Sequence, residues 1–129
     1  MTRRLALTEL PHDYAIARLA PEAALPAWAD GPGFVSIART AEELSILCLA
    51  ARVPAGTGAV GPWVGFKLEG PFDFGETGIG AAILAPLAAA GIGILFVSTF
   101  DTDYLFVKRE ERVAAIAALV AAGHYVTGR

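Results

Sequence analysis

KLEGPFDFGETGIGAAILAPLAAAGIGILFVSTFDTDYLFVK, residues 67–108, changes its hydrophobic period repeatedly, and the order of those changes decides the fold. It opens with a short apolar run and crosses a Pro/Gly/acid loop, Gly70-Pro71-Phe72-Asp73-Phe74-Gly75-Glu76. An Ala/Leu/Ile-rich segment closed by Gly91 follows, then a β-branched run from Ile92 to Thr99. The turn Phe100-Asp101-Thr102-Asp103 leads into a last apolar run, Tyr104 to Val107. The flanking runs are too short and too β-branched for helices, whereas the Ala-rich segment between them has the 3.6-residue period of one. The order is strand, loop, helix, strand, hairpin, strand.

Downstream, Arg109 to Ala122 reads as a second helix. Val113, Ile116, Ala117 and Val120 form its expected buried stripe, Glu110 and Glu111 suit its positive end, and Gly123 stops it. His124 to Thr127 closes as a short strand. The first helix is expected over Thr77 to Ala90, with Ile79, Ile83, Leu84 and Leu87 on one stripe. Pro86 removes the hydrogen bond to the Ala82 carbonyl and bends or splits that helix. Residues 63–127 therefore read βαββαβ, an α+β, ferredoxin-like order in which both helices cover one face of a four-stranded antiparallel sheet.

Upstream, Arg4 to Leu10 reads as a strand, Pro11-His12-Asp13 as a turn, and Tyr14 to Leu19 as the hairpin partner. A short helix is expected around Ala23 to Trp28, a third strand over Phe34 to Arg39, and a fourth over Ser45 to Ala50. Thr40 and Glu43 resemble a capping box with room for one helical turn. Residues 51–62, rich in Gly and Pro, form the candidate boundary, which gives an N-terminal half at 1–61 and a second at 62–129.

With 129 residues and a net charge of −3, the chain can bury a real core and offers no basic footprint for nucleic acid. Lone Cys48 lies in an apolar run and reads as a buried, inert thiol. Residues 77–100 carry no charge, yet Pro86, the glycines and the many alanines argue for soluble core over a membrane span. Nothing near the N-terminus reads as a signal peptide, and a cytoplasmic location is the expectation.

Two constellations carry chemistry. Asp73 and Glu76 precede the first helix, whose leading N–H groups lack intrahelical partners. The amides of Thr77, Gly78 and Ile79 would attract an anion such as an α-carboxylate, and the two acids would suit an ammonium or another cation. The plainer reading is that both acids only cap the helix. The second constellation is the hairpin Ser98-Thr99-Phe100-Asp101-Thr102-Asp103, for which an ordinary type I turn is the alternative. Asp73, Glu76, Asp101 and Asp103 could instead converge on a divalent cation, although no dedicated loop spacing supports it. His12 and His124 have no metal-ligand spacing, and no nucleophile elbow, phosphate loop or CxxC pair occurs. No cofactor is expected.

Together, EGPFDFGETGI and VSTFDTDYLFVK resemble the signature of ACT-like domains of the cytosolic arginine-sensor type, and of small bacterial ACT-like proteins of about this length. The resemblance is one of residues from Trp63 to about Val126 and one of layout before that. It implies one bent first helix and tandem ACT-like halves with antiparallel sheets, the first half a reduced copy. It also implies no catalysis, and a ligand site where the loop and hairpin meet. Carried across, the pocket residues are Glu76, Thr77, Gly78 and Ile79 with Thr99, Phe100 and Asp103; the loop's Phe72 and Asp73 and the hairpin's Ser98 and Asp101 complete the candidate set. Asp101-Thr102 is more acidic than the sensor's hairpin and Gly75 looks inserted, so arginine does not transfer as the ligand. A small amino-acid-like zwitterion does. The expected assembly is a homodimer, with Trp28, Trp63 and Phe66 as anchors if exposed, reporting to an unknown downstream protein. The alternatives are a ligand-free dimerisation or adaptor module, and an acidic-cluster, metal-dependent enzyme.

Overall fold

The computed structural model describes residues 3–128, and in it the apolar runs become strands. In chain order the elements are β1 (Ala6–Glu9), β2 (Tyr14–Leu19), β3 (Ser36–Arg39), β4 (Leu44–Leu49), β5 (Val60–Leu68), helix α1 (Ile79–Ala89), β6 (Ile94–Ser98), β7 (Asp103–Lys108), helix α2 (Arg112–Ala121) and β8 (Tyr125–Thr127). Three-residue 3-10 turns cover Ala27–Ala29, Ala50–Arg52 and Arg109–Glu111. Two compact units emerge: His12–Trp63, and the residues from Val64 on together with those up to Pro11.

The second unit carries the βαββαβ order expected from the sequence, with one strand added. Its sheet runs β6-β7-β5-β1-β8. β1 lies between the first and last strands of that order, antiparallel to β5 (Leu7 opposite Leu68) and parallel to β8 (Leu7 opposite Val126). It is not the hairpin partner of β2, which pairs with β4 and with the start of β5. The reason is apolar cover. Leu5 and Leu7 are buried in the helix-covered core with Val64, Phe66, Leu68, Leu105 and Val107. Among the described residues, His12–Trp63 has no helix longer than a 3-10 turn to lay over such a face. Burying side chains of this size stabilises by about 1.5–3 kcal/mol each.

The helices cover that face with Ile79, Ile83 and Leu87 of α1 and Ala115 and Leu119 of α2. The α2 stripe is rotated from the expected one: Val113 and Val120 are exposed, while Ile116 and Ala118 pack against the core. Two local facts set this phase. The 3-10 turn at Arg109–Glu111 delays the helix start. Arg112 then places Nε and a terminal nitrogen on the Glu9 carboxylate, at 2.7 Å each. Glu9 is only 2% exposed, so this bidentate pair neutralises a buried charge and turns Arg112, Ala115 and Leu119 inward.

α1 is one helix through Pro86. The proline leaves the Ala82 carbonyl without its intrahelical donor. Buried His124 fills the gap, with Nε2 2.8 Å from that oxygen. Its Nδ1 accepts the Leu5 N–H at 3.0 Å, which places the ring proton on Nε2 as donor to Ala82. One imidazole thus joins α1, the α2–β8 junction and the start of β1.

In His12–Trp63 the sheet runs β3-β4-β2-β5, all antiparallel. Leu44, Ile46, Cys48 and Ala29 form its core, with Trp28 packed against them. Burial raises the Cys48 thiol pKa, an effect only partly offset by the Arg52 guanidinium, so the thiol stays protonated and inert as expected. Thr40 starts no helix; its hydroxyl accepts the N–H groups of Glu42 and Glu43 in a turn. Trp63 and Phe66 are buried, which removes them as dimer anchors, and Trp28 is half-buried against its own unit's core. Among the described residues, no helix is long and apolar enough to cross a membrane.

The His124 link is testable. His124→Leu orphans a buried carbonyl and a buried N–H, at a cost of about 1–3 kcal/mol per group. In a Pro86→Ala background the restored N–H of residue 86 serves Ala82, so the same change should cost about 1 kcal/mol less. Equal costs by urea unfolding in both backgrounds would contradict the link.

Candidate functional site

The chain leaves β5 at Leu68 and re-enters regular structure at Ile79; the hairpin tip joins β6 to β7. These two loops are tied at the backbone. Phe72 N–H donates to the Asp101 carbonyl at 2.8 Å, and the buried Thr102 hydroxyl donates to the Leu68 carbonyl at 2.6 Å. A Cβ at Gly70 would stand 3.0 Å from the Asp101 carbonyl, so the glycine admits the close approach. Within the hairpin, Thr99 N–H donates to the Thr102 carbonyl at 2.8 Å, and Ser98 donates its hydroxyl to Asp103. At the rim, Phe74 and Phe100 meet edge to face, with centroids 5.0 Å apart and planes at 80°. Both are nearly four-fifths exposed, at 78% and 79%.

Between the tied loop and hairpin lies an open cavity of about 340 Å³. From the loop side Phe72, Asp73, Glu76, Gly78 and Ile79 line it; from the hairpin Ser98, Thr99, Phe100, Asp101 and Asp103 do. Thr77 is the one residue of the candidate set outside it, lining instead a neighbouring groove along α1. Phe74 and Thr102, which lie in the same loop and hairpin but outside the candidate set, line the cavity too, as do Gly80 and Phe96. Thr102 passes in the sequence for turn filler, and Phe96 for one more residue of an apolar strand. Only the strand alternation that sends Phe96 to the helix side could have marked it.

The N-terminus of α1 borders the cavity at Gly78, Ile79 and Gly80. Gly78 is the N-cap, at φ 85°, with no side-chain capping hydrogen bond. The first amides without intrahelical partners are therefore those of Ile79, Gly80 and Ala81, two residues later than expected. Asp73 and Glu76 do not cap this helix. Glu76 turns back on its own loop, with Oε1 accepting the Asp73 N–H at 2.9 Å and Oε2 facing the Arg3 guanidinium. The capping reading of these acids is thereby set aside. Among the described residues, no group of three or more His, Cys, Asp or Glu side chains is arranged to hold a metal ion.

A family model for the ACT domain matches residues 59–121, and a second model, for an N-terminal domain, matches residues 12–56. The human protein CASTOR3P is 30% identical over 109 residues, spanning 82% of this chain and 55% of its own length. The chain belongs to the ACT-like family. It spans about half the length of that relative. The crystal structure of protein Atu0741 from Agrobacterium tumefaciens is similar to it at a TM-score of 0.94 and 46% identity, covering 98% of this chain and 95% of the other. The structure of protein VC0802 from Vibrio cholerae shares the fold alone, at a TM-score of 0.72 and 21% identity, covering 92% and 89%. The ferredoxin-like ACT fold and a regulatory, ACT-type character follow from these likenesses.

The Thr102 tie predicts a stability change in this ACT-like unit. Thr102→Val removes the donor to the buried Leu68 carbonyl and should cost about 1–3 kcal/mol in urea unfolding. An unchanged midpoint would mean that the hairpin is held by other contacts.

Proposed function

We propose that this ACT-like protein is a non-catalytic regulator that reversibly binds a small amino-acid-like ligand in the cavity between the 70–78 loop and the 98–103 hairpin. The observation that carries the reading is the placing of opposite electrostatic characters on one cavity. The uncapped start of α1 offers N–H groups and a positive dipole end to a carboxylate. Asp73, Asp101 and Asp103 offer their charges to an ammonium or another cationic group. A volume of about 340 Å³ falls at the small end of ligand pockets, which suits a metabolite of few atoms. Glu76 is preset by its own loop, so little ordering is left for binding to supply.

The resemblance to arginine-sensor-type domains supports an amino acid as the class without fixing which. Regulation would pass to a downstream protein in the cytoplasm, through a homodimer. β6 is an uncharged edge strand whose only partner among the described residues is β7, and such an edge is able to pair with a copy of itself.

Thermal unfolding against the common amino acids tests the reading. A ligand at about 100 times its dissociation constant adds about 2.7 kcal/mol. At this chain length that raises the midpoint by several degrees. The rise should be selective, and Glu76→Ala with Asp103→Ala should abolish it while the variant remains folded. A flat panel would favour the ligand-free adaptor, and an undiminished rise in the double variant would move the site elsewhere.

A further inference from the structure

We propose that Arg3 is a built-in counter-ion of the cavity: its guanidinium holds Glu76, and a cationic group on a ligand gains that carboxylate by displacing it. The inference rests on the reading of the cavity as a ligand site. The two oxygens of Glu76 are served differently. Oε1 is fixed by the Asp73 N–H of the same loop, whereas Oε2 meets a side chain 73 residues earlier in the chain. The first contact aims the carboxylate and the second occupies it.

The pair is built to exchange. Its side chains are 43% and 29% exposed, so water and a solute reach both partners, and solvent-exposed ion pairs are weak. Arg3 also lines the groove along α1, about 470 Å³ in volume, where Thr77, Gly78, Ala81 and Ala85 give a displaced side chain room to lie. Gly78 borders both the groove and the cavity, so the path between the two is short. The backbone stays put meanwhile, because the Leu5 N–H, two residues on, is bonded to the buried His124 Nδ1. The guanidinium can therefore leave Glu76 without drawing β1 out of the sheet. Asp73, Asp101 and Asp103 line the same cavity, and in the unliganded protein Arg3 offsets the charge of the fourth carboxylate.

Amide NMR with methylguanidinium as the probe tests this. The probe carries the charged group of Arg3 without a carboxylate, and the Asp73 N–H, bonded to Glu76, is the reporter. Wild type is compared with Arg3→Ala, with Arg3→Gln (which keeps the packing of a long side chain) and with Glu76→Gln. Both Arg3 variants should bind the probe roughly two- to fivefold more tightly than wild type, the factor that an exposed pair contributes. Glu76→Gln should abolish the response. Equal or weaker binding by the Arg3 variants, or a response that survives Glu76→Gln, overturns the proposal. Because the probe is not an amino acid, tighter binding by the Arg3 variants alongside a flat amino-acid panel would uphold the counter-ion and retire the ligand class alone.

Discussion

The hairpin tip between β6 and β7 is pinned by two hydrogen bonds, from Thr102 to the Leu68 carbonyl at the end of β5 and to the Asp101 carbonyl from Phe72 in the loop beyond it. Loops this rich in Gly, Asp and Thr would otherwise sample many conformations, and each ordered residue costs about 1–2 kcal/mol of backbone entropy. A buried hydroxyl on a buried carbonyl is costly to leave unmade, which makes the Thr102 tie the stronger constraint. The edge-to-face contact of Phe74 with Phe100 adds a third link at the rim. Fixing two loops against one strand end turns a pair of turns into a cavity with charged walls.

The floor of that cavity depends on α1 being held in place despite a proline in its middle. His124 supplies the hydrogen bond that Pro86 withholds and ties the helix to the first residues of β1. β1 is the strand inserted between β5 and β8, so the same imidazole links the helix to the sheet. The Arg112–Glu9 pair does the corresponding work for α2, turning its small residues onto the sheet and leaving Val113 and Val120 in solvent. Both helices are thus oriented by polar contacts that accompany the apolar stripes.

The βαββαβ order was legible because local patterns carry it: the Ala-rich period, Gly91, Gly123 and the β-branched runs each act over a few residues. The convergence of loop and hairpin was legible through family resemblance more than through physics, since a turn explains Asp101 and Asp103 equally well on composition. What escaped the sequence was set by contacts between residues far apart in the chain. The pairing of β1 with β5 and β8 depends on where Leu5 and Leu7 find cover. The rotation of α2 depends on Glu9, 103 residues before Arg112. Thr77 reads as the first residue of a helix that begins at Ile79, because the left-handed turn at Gly78 takes the cap position. The reach of Arg3 to Glu76 leaves no periodic trace at all.

Hydrogen exchange with and without a pooled set of amino acids tests most directly whether this cavity is a ligand site. Exchange reports local opening segment by segment, so it locates binding as well as detecting it. Protection should rise over residues 70–80 and 98–103 and stay unchanged over β2 and β4. Protection appearing elsewhere, or nowhere, would contradict the account.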